Sequence, residues 1–259
     1  MYGIFIGLIA VLTFLAIMFG PNAWRLYKVA HLFDKNSISY NFINMKEFFP
    51  TSTPIKASED PYIFKKRDDF IMPDTYKFEG EEKQIIESID YFNTDGLMIL
   101  KDGEVHYENY WNENKETSRH IIWSVSKSFL SALVGIALDE GLIEDINDPI
   151  IKYLKDFKGT GYEGVSIKNL LQMSSGIEFN EDYGDPDSDI NRYGRVTATG
   201  TSQREFAKTL KNSREPGTYN HYISLDSQML GMLVAEVSNM SVKEYPVSYT
   251  HLRAHETEA

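Results

Sequence analysis

The feature that most constrains the fold is a change of hydrophobic period partway along the chain. Before Trp123 the apolar residues come in short strand-like runs, Leu97-Met98-Ile99-Leu100 and Glu104-Val105-His106-Tyr107, separated by Lys101-Asp102-Gly103. An Asp-Gly pair between two such runs marks a tight hairpin, because the turn that matches strand twist needs positive φ. From Ser124 onward the period is helical. Phe129, Leu130, Leu133, Ile136 and Ala137 fall on one stripe, and Gly141 stands where that helix would end. Ser124 is therefore expected at a helix start. Glu81 to Phe92 carries Ile85, Ile86, Ile89 and Phe92 at helical spacing and predicts one amphipathic helix. Ser166 to Met173 and Ser227 to Val237 are further helix candidates. A helix and hairpin followed by a helical block imply an α+β protein rather than a doubly wound sheet.

The 259 residues, 42% of them hydrophobic, suffice to bury a core in one or two domains. A formal net charge of -12 argues against a nucleic-acid partner, since neutralising phosphates needs a clustered basic surface. The chain has no cysteine, which excludes disulfides and thiolate metal sites. His251 and His255 have helical ligand spacing but lack the glutamate of a zinc-protease motif. No metal is expected.

Residues 1–20 contain no charged side chain and are long enough to cross a bilayer, and Pro21 ends the run. Basic residues ahead of the apolar run and a small-residue cleavage site behind it are both lacking, so residues 1–22 are expected to be an uncleaved membrane anchor. Arg25, Lys28 and Lys35 follow this segment, and by the positive-inside tendency they favour a cytoplasmic domain. Residues 23–76, punctuated by Pro50, Pro54, Pro61 and Pro73, are expected to be an irregular connector.

Ser124-Val125-Ser126-Lys127 has the S-x-x-K form. Positions three apart share a helix face, so the hydroxyl and the amine meet within one turn. A serine becomes a useful nucleophile when a neighbouring base takes its proton, and a lysine does this once burial favours its neutral form. A helix N-terminus adds a positive end near a developing oxyanion. The alternative is a capping serine beside a solvated lysine.

Trp123 precedes the motif, Ser128-Phe129-Leu130 follows it, and Gly135-Ile136-Ala137-Leu138-Asp139-Glu140-Gly141-Leu142-Ile143 closes the helix. This segment closely resembles the class C β-lactamase-related serine hydrolases. Leu170-Leu171-Gln172-Met173-Ser174-Ser175-Gly176-Ile177 resembles that family's LLxMxSG block. Pro216-Gly217 and Tyr222-Ile223-Ser224, followed by Leu230-Gly231, stand where its second catalytic motif falls. Most such relatives have Tyr-x-Asn at that motif. The serine at 224 is similar to the branch containing 6-aminohexanoate-dimer hydrolase and related carboxylesterases.

The resemblance implies a β-lactamase/transpeptidase-like α+β fold, with the hydrolase domain spanning residues 77–245. It implies an acyl-enzyme on Ser124, Lys127 as general base and Tyr222 as proton relay, with no cofactor. Ser224 would touch substrate, an ester or linear amide. A peptidoglycan DD-peptidase or β-lactamase, or a non-catalytic penicillin-binding-type sensor, are the alternatives. Asp182 and Tyr183, in the acidic loop with Glu181, are candidates for the pocket mouth, and a solvated loop is the other reading. His221 and Trp123 are expected to be structural. Relatives of this family usually work outside the cytoplasm, so an anchored extracytoplasmic domain is expected despite the basic residues after residue 22.

The family's third motif, a Lys-Thr-Gly or His-x-Gly triplet on an edge strand, has no counterpart after Tyr222. The later sheet strands are therefore expected to be missing, and the chain as written is not expected to form a stable, active enzyme. Ser248-Tyr249-Thr250-His251-Leu252-Arg253-Ala254-His255-Glu256-Thr257 resembles a translated sequencing adapter, so residues 246–259 are expected to be a non-native tail.

Overall fold

Asp102 and Gly103 both take positive φ, 52° and 76°, and join strand Gly96–Lys101 to strand Glu104–Tyr110 in antiparallel register. The hairpin forms as its turn residues dictate. The computed structural model describes residues 24, 27–48, 61–67, 69–199 and 202–246. The expected anchor at 1–22 and nearly all of the expected tail lie outside the described residues, and among the described residues no helix is long and apolar enough to cross a membrane. The described residues form two compact units, one ending at Ile121 and the other beginning at Ile122.

In the first unit the described part of segment 23–76 is not irregular throughout. It contains helix Ile38–Ile43, a 3-10 turn Met45–Glu47 and strands Lys65–Lys66 and Thr75–Phe78. Lys65–Lys66 lies parallel to Glu104–Val105 as a third strand beside the hairpin. Lys65 and Lys66 pair with Glu104 at 2.9 Å and Glu108 at 2.8 Å, contacts that orient this edge but contribute little at such exposure. Pro73 lies just ahead of strand Thr75–Phe78, and the prolines do not prevent short elements between them.

The helix expected over Glu81 to Phe92 begins only at Ile85. Glu81–Gln84 pairs antiparallel with Thr75–Phe78, and the helix runs Ile85–Tyr91. The polar residues Glu81 to Gln84 carry no period of their own. The Glu79-Gly80 turn, with φ of 53° and 83°, folds them back as a second hairpin.

The second unit is helical. Helix Ser126–Asp139 packs on helix Ser224–Ser238. Leu133, Val134 and Ala137 of the first and Leu225, Met229 and Leu233 of the second share one core with Ile150, Leu154, Phe157 and Tyr162. Each such side chain stabilises the fold by about 1.5–3 kcal/mol relative to an exposed one. Phe129, placed on the buried stripe by its spacing, is 64% exposed. Apolar residues occur around most of this helix, so the period alone does not choose the covered face. Gly141 ends the helix region with φ 71°, the left-handed conformation that glycine adopts without strain. The helix Ile167–Leu171 starts at a capping box, in which Asn169 N donates to Ser166 Oγ and Ser166 N donates to Asn169 Oδ1, both at 3.1 Å.

Candidate active site

The Leu170 to Ile177 block is a backbone platform for the second motif. Gly176 has φ 74°, and a Cβ there would collide with the Arg214 carbonyl oxygen. That close approach lets Ser213 N and Arg214 N donate to Gly176 O at 2.9 and 3.1 Å. Gly217 N then donates to Ser174 O at 2.8 Å and His221 N to Met173 O at 2.7 Å. The chain leading to Tyr222 is thus pinned at four amides. The His221 ring reaches the Phe179 carbonyl oxygen at 3.0 Å.

The nucleophile candidate stands in a 3-10 turn, Trp123–Val125, that runs directly into helix Ser126–Asp139. Trp123 takes φ 41°, strain of order 1–3 kcal/mol for a bulky residue. Ser126 Oγ donates to Trp123 O at 2.6 Å and braces this turn. Lys127 Nζ donates to Ser124 Oγ at 2.9 Å, and Tyr222 Oη donates to the same oxygen at 2.6 Å. The Lys127 ammonium also lies over the Tyr222 ring, 5.2 Å from its centroid. Burial pushes the Tyr222 phenol up, but its hydrogen bonds to Ser124 and Lys127 and the Lys127 charge outweigh burial and hold it below the ordinary tyrosine value. A phenol so placed exchanges a proton with Ser124 more readily than a free one.

Ser224 Oγ is 3.4 Å from Lys127 Nζ, so the fold brings Ser124, Lys127, Tyr222 and Ser224 together. The acidic loop divides. Asp182 Oδ1 accepts from Gly184 N at 2.8 Å, closing a turn within its own loop, and does not reach the serine. Tyr183, 66% exposed, donates to Glu181 Oε1 at 3.0 Å. Glu181 and Tyr183 both border Ser224: Ser224 N donates to Glu181 Oε2 at 2.9 Å and Ser224 Oγ to its Oε1 at 2.5 Å, and the Tyr183 hydroxyl lies within hydrogen-bonding reach of Ser224. Nothing in the sequence separates Glu181 from its acidic neighbours, since its partner lies 43 positions away. Among the described residues no three His, Asp or Glu side chains converge as a metal site.

A serine held between a lysine one helical turn away and a tyrosine from a distant loop has the layout of an S-x-x-K acyl-transfer centre. Residues 83–248, well over half of the chain, match the family model described as Beta-lactamase, and the chain belongs to that family. It is 31% identical over 163 residues to the 6-aminohexanoate-dimer hydrolase of Paenarthrobacter ureafaciens, covering 60% of this chain and 41% of that one. It is 26% identical over 150 residues to a Beta-lactamase of Pseudomonas fluorescens, covering 54% and 38%. A solved structure named "Putative 6-aminohexanoate-dimer hydrolase" from Bacillus anthracis superposes with a TM-score of 0.71 at 19% identity, covering 82% of this chain and 58% of that one. That likeness is one of fold, and it agrees with the β-lactamase/transpeptidase-like α+β class. The chain spans about two fifths of the length of these curated relatives.

Proposed function

We propose that this protein is a serine hydrolase that forms an acyl-enzyme on Ser124 and acts on carboxylic esters or linear amides. The observation that carries this reading is the pair of hydrogen bonds on Ser124 Oγ, from Lys127 at 2.9 Å and from Tyr222 at 2.6 Å. Lys127 as the neutral amine takes the Ser124 proton while Oγ attacks the acyl carbon. The carbonyl electron pair moves onto oxygen and returns to expel the leaving group, which receives its proton from the ammonium through Tyr222. Water then repeats the sequence on the ester. Ser224 in the second motif and the 31% identity to a protein named 6-aminohexanoate-dimer hydrolase favour ester or amide substrates over β-lactams. A DD-peptidase or β-lactamase is the second reading, supported by the β-lactamase relative.

All the reacting groups belong to the unit from Ile122 onward, so a single-turnover assay suits the test. A fluorophosphonate is expected to label Ser124, as read by mass spectrometry. Ser124→Ala is expected to abolish labelling, and Lys127→Ala to slow it about 10²–10⁴-fold, the range of a lost general base. A parent protein that is not labelled, or an alanine variant that is labelled equally, rejects the reading. Where turnover is measured, kcat/KM for a p-nitrophenyl ester is expected to exceed that for nitrocefin; the reverse order selects the second reading.

A further inference from the structure

Ser224 has one hydroxyl proton, and Glu181, Lys127 and Tyr183 all lie within its reach. Glu181 Oε1 stands 2.5 Å from Ser224 Oγ and Lys127 Nζ stands 3.4 Å from it on another side. A carboxylate accepts and never donates, so the proton goes to Glu181. Ser224 Oγ then offers Lys127 only lone pairs, and Lys127 must be the donor in that contact. Without Glu181 the hydroxyl is free to turn and donate to the neutral Lys127 amine. That would occupy the one lone pair that has to receive the Ser124 proton.

Glu181 is itself fixed for this task. Its second oxygen takes the Ser224 backbone N–H at 2.9 Å, at the start of helix Ser224–Ser238, and Tyr183 Oη donates to the first at 3.0 Å. The N-cap of that helix, Ile223, has no side-chain oxygen, so the carboxylate supplies the acceptor that the helix start lacks. One hydrogen-bonded chain therefore runs from Glu181 through Ser224 and Lys127 to Ser124 and Tyr222.

We propose that Glu181 is the positioning residue of this centre: through the Ser224 hydroxyl it directs the Lys127 amine toward Ser124, and its charge stabilises the ammonium formed in the transfer. The proposal rests on the acyl-transfer reading of Ser124. In the step itself the Ser124 O–H bond breaks, its proton joins Lys127 Nζ, and the Oγ–acyl bond forms. Glu181 remains a carboxylate throughout. The titratable groups around it are Lys127 and Tyr222 across Ser224, Tyr183 on its own loop, and the buried Asp226 on the helix that it caps.

The test is fluorophosphonate labelling of Ser124 in the full chain, followed as a rate against pH. Glu181→Gln keeps an acceptor for Ser224 but removes the charge. It is expected to slow labelling about 10- to 100-fold, the loss of a charge-assisted hydrogen bond. The acid limb of the profile, where the base must lose its proton, is expected to move to lower pH, because the negative charge that favours the protonated base is gone. Glu181→Asp keeps the charge and is expected to keep the parental limb even where the rate falls. Asp187→Asn removes a charge from the same loop and is expected to label like the parent. Parental rate and limb in Glu181→Gln overturn the proposal. Where that variant fails to fold, a shifted limb in Glu181→Asp overturns it equally. A parent that does not label at all overturns the acyl-transfer reading together with this one, whereas a labelled parent with an unaffected Glu181→Gln removes only the role of Glu181.

Discussion

Asp226 lies two residues beyond Ser224 in the first turn of its helix, and its side chain is buried, with Oδ2 lacking a hydrogen-bond partner among the described residues. Burial is the dominant influence and pushes its carboxyl up to about 7, while hydrogen bonds from Ser175 and Tyr162 pull the other way. Between the ordinary carboxylate range and about pH 7 the folded protein therefore holds a proton that the unfolded chain has released. Stability contributed by neutral Asp226 is greatest on the acid side, falls as pH rises through that window, and levels off above it. Asp226→Asn mimics the neutral form. It is expected to raise the thermal midpoint more at pH 8 than at pH 5, by calorimetry or circular dichroism, and an equal effect at both values rejects the assignment.

At the scale of elements, the platform from Leu170 to Ile177 decides where Tyr222 stands. Gly176 is its weakest point for substitution, since φ 74° and contact with the Arg214 carbonyl leave no room for a Cβ. The left-handed backbone alone costs about 1–2 kcal/mol for an L-residue, and separating Gly176 O from the Ser213 and Arg214 amides adds to it. Gly176→Ala is expected to lower the thermal midpoint by more than about 4 °C. The Ser124 labelling rate is expected to fall with it, because displacing the chain from Ser213 to His221 moves Tyr222. An unchanged midpoint would mean that the two segments part without strain. The Glu79-Gly80 and Asp102-Gly103 turns show the same dependence on positive φ, but they join neighbours in sequence.

For the molecule as a whole, we propose that residues 1–22 anchor the protein, on the strength of their uncharged run, and that the hydrolase region lies outside the cytoplasm, where relatives of this family usually work, against the positive-inside tendency of Arg25, Lys28 and Lys35. The full chain is expected to sediment with membranes and resist an alkaline wash, whereas a chain beginning at Ala23 stays in the supernatant. Equal partition of the two rejects the anchor. A reporter fused to the hydrolase region that is active only in the cytoplasm reverses the orientation.

Where the deciding residues lie within a turn of each other, the sequence alone determined the outcome. Asp102-Gly103 specifies a hairpin, Gly141 a helix end, and Ser124 with Lys127 a shared helix face, because backbone geometry fixes those distances. The resemblance of the Leu170 to Ile177 block and of Tyr222-Ile223-Ser224 added family and fold. The tertiary structure decided what depends on long-range approach. Tyr222 meets Ser124 across 98 positions and Glu181 meets Ser224 across 43, and no local pattern encodes either distance. It also turned Phe129 outward despite its spacing, made a strand of Glu81–Gln84 through the turn ahead of it, and closed Asp182 into its own loop. The exposure of Phe129 depends on which surface another segment covers, a property of the packed chain, whereas the Glu81–Gln84 strand and the Asp182 turn are local returns that hydrophobic period does not encode.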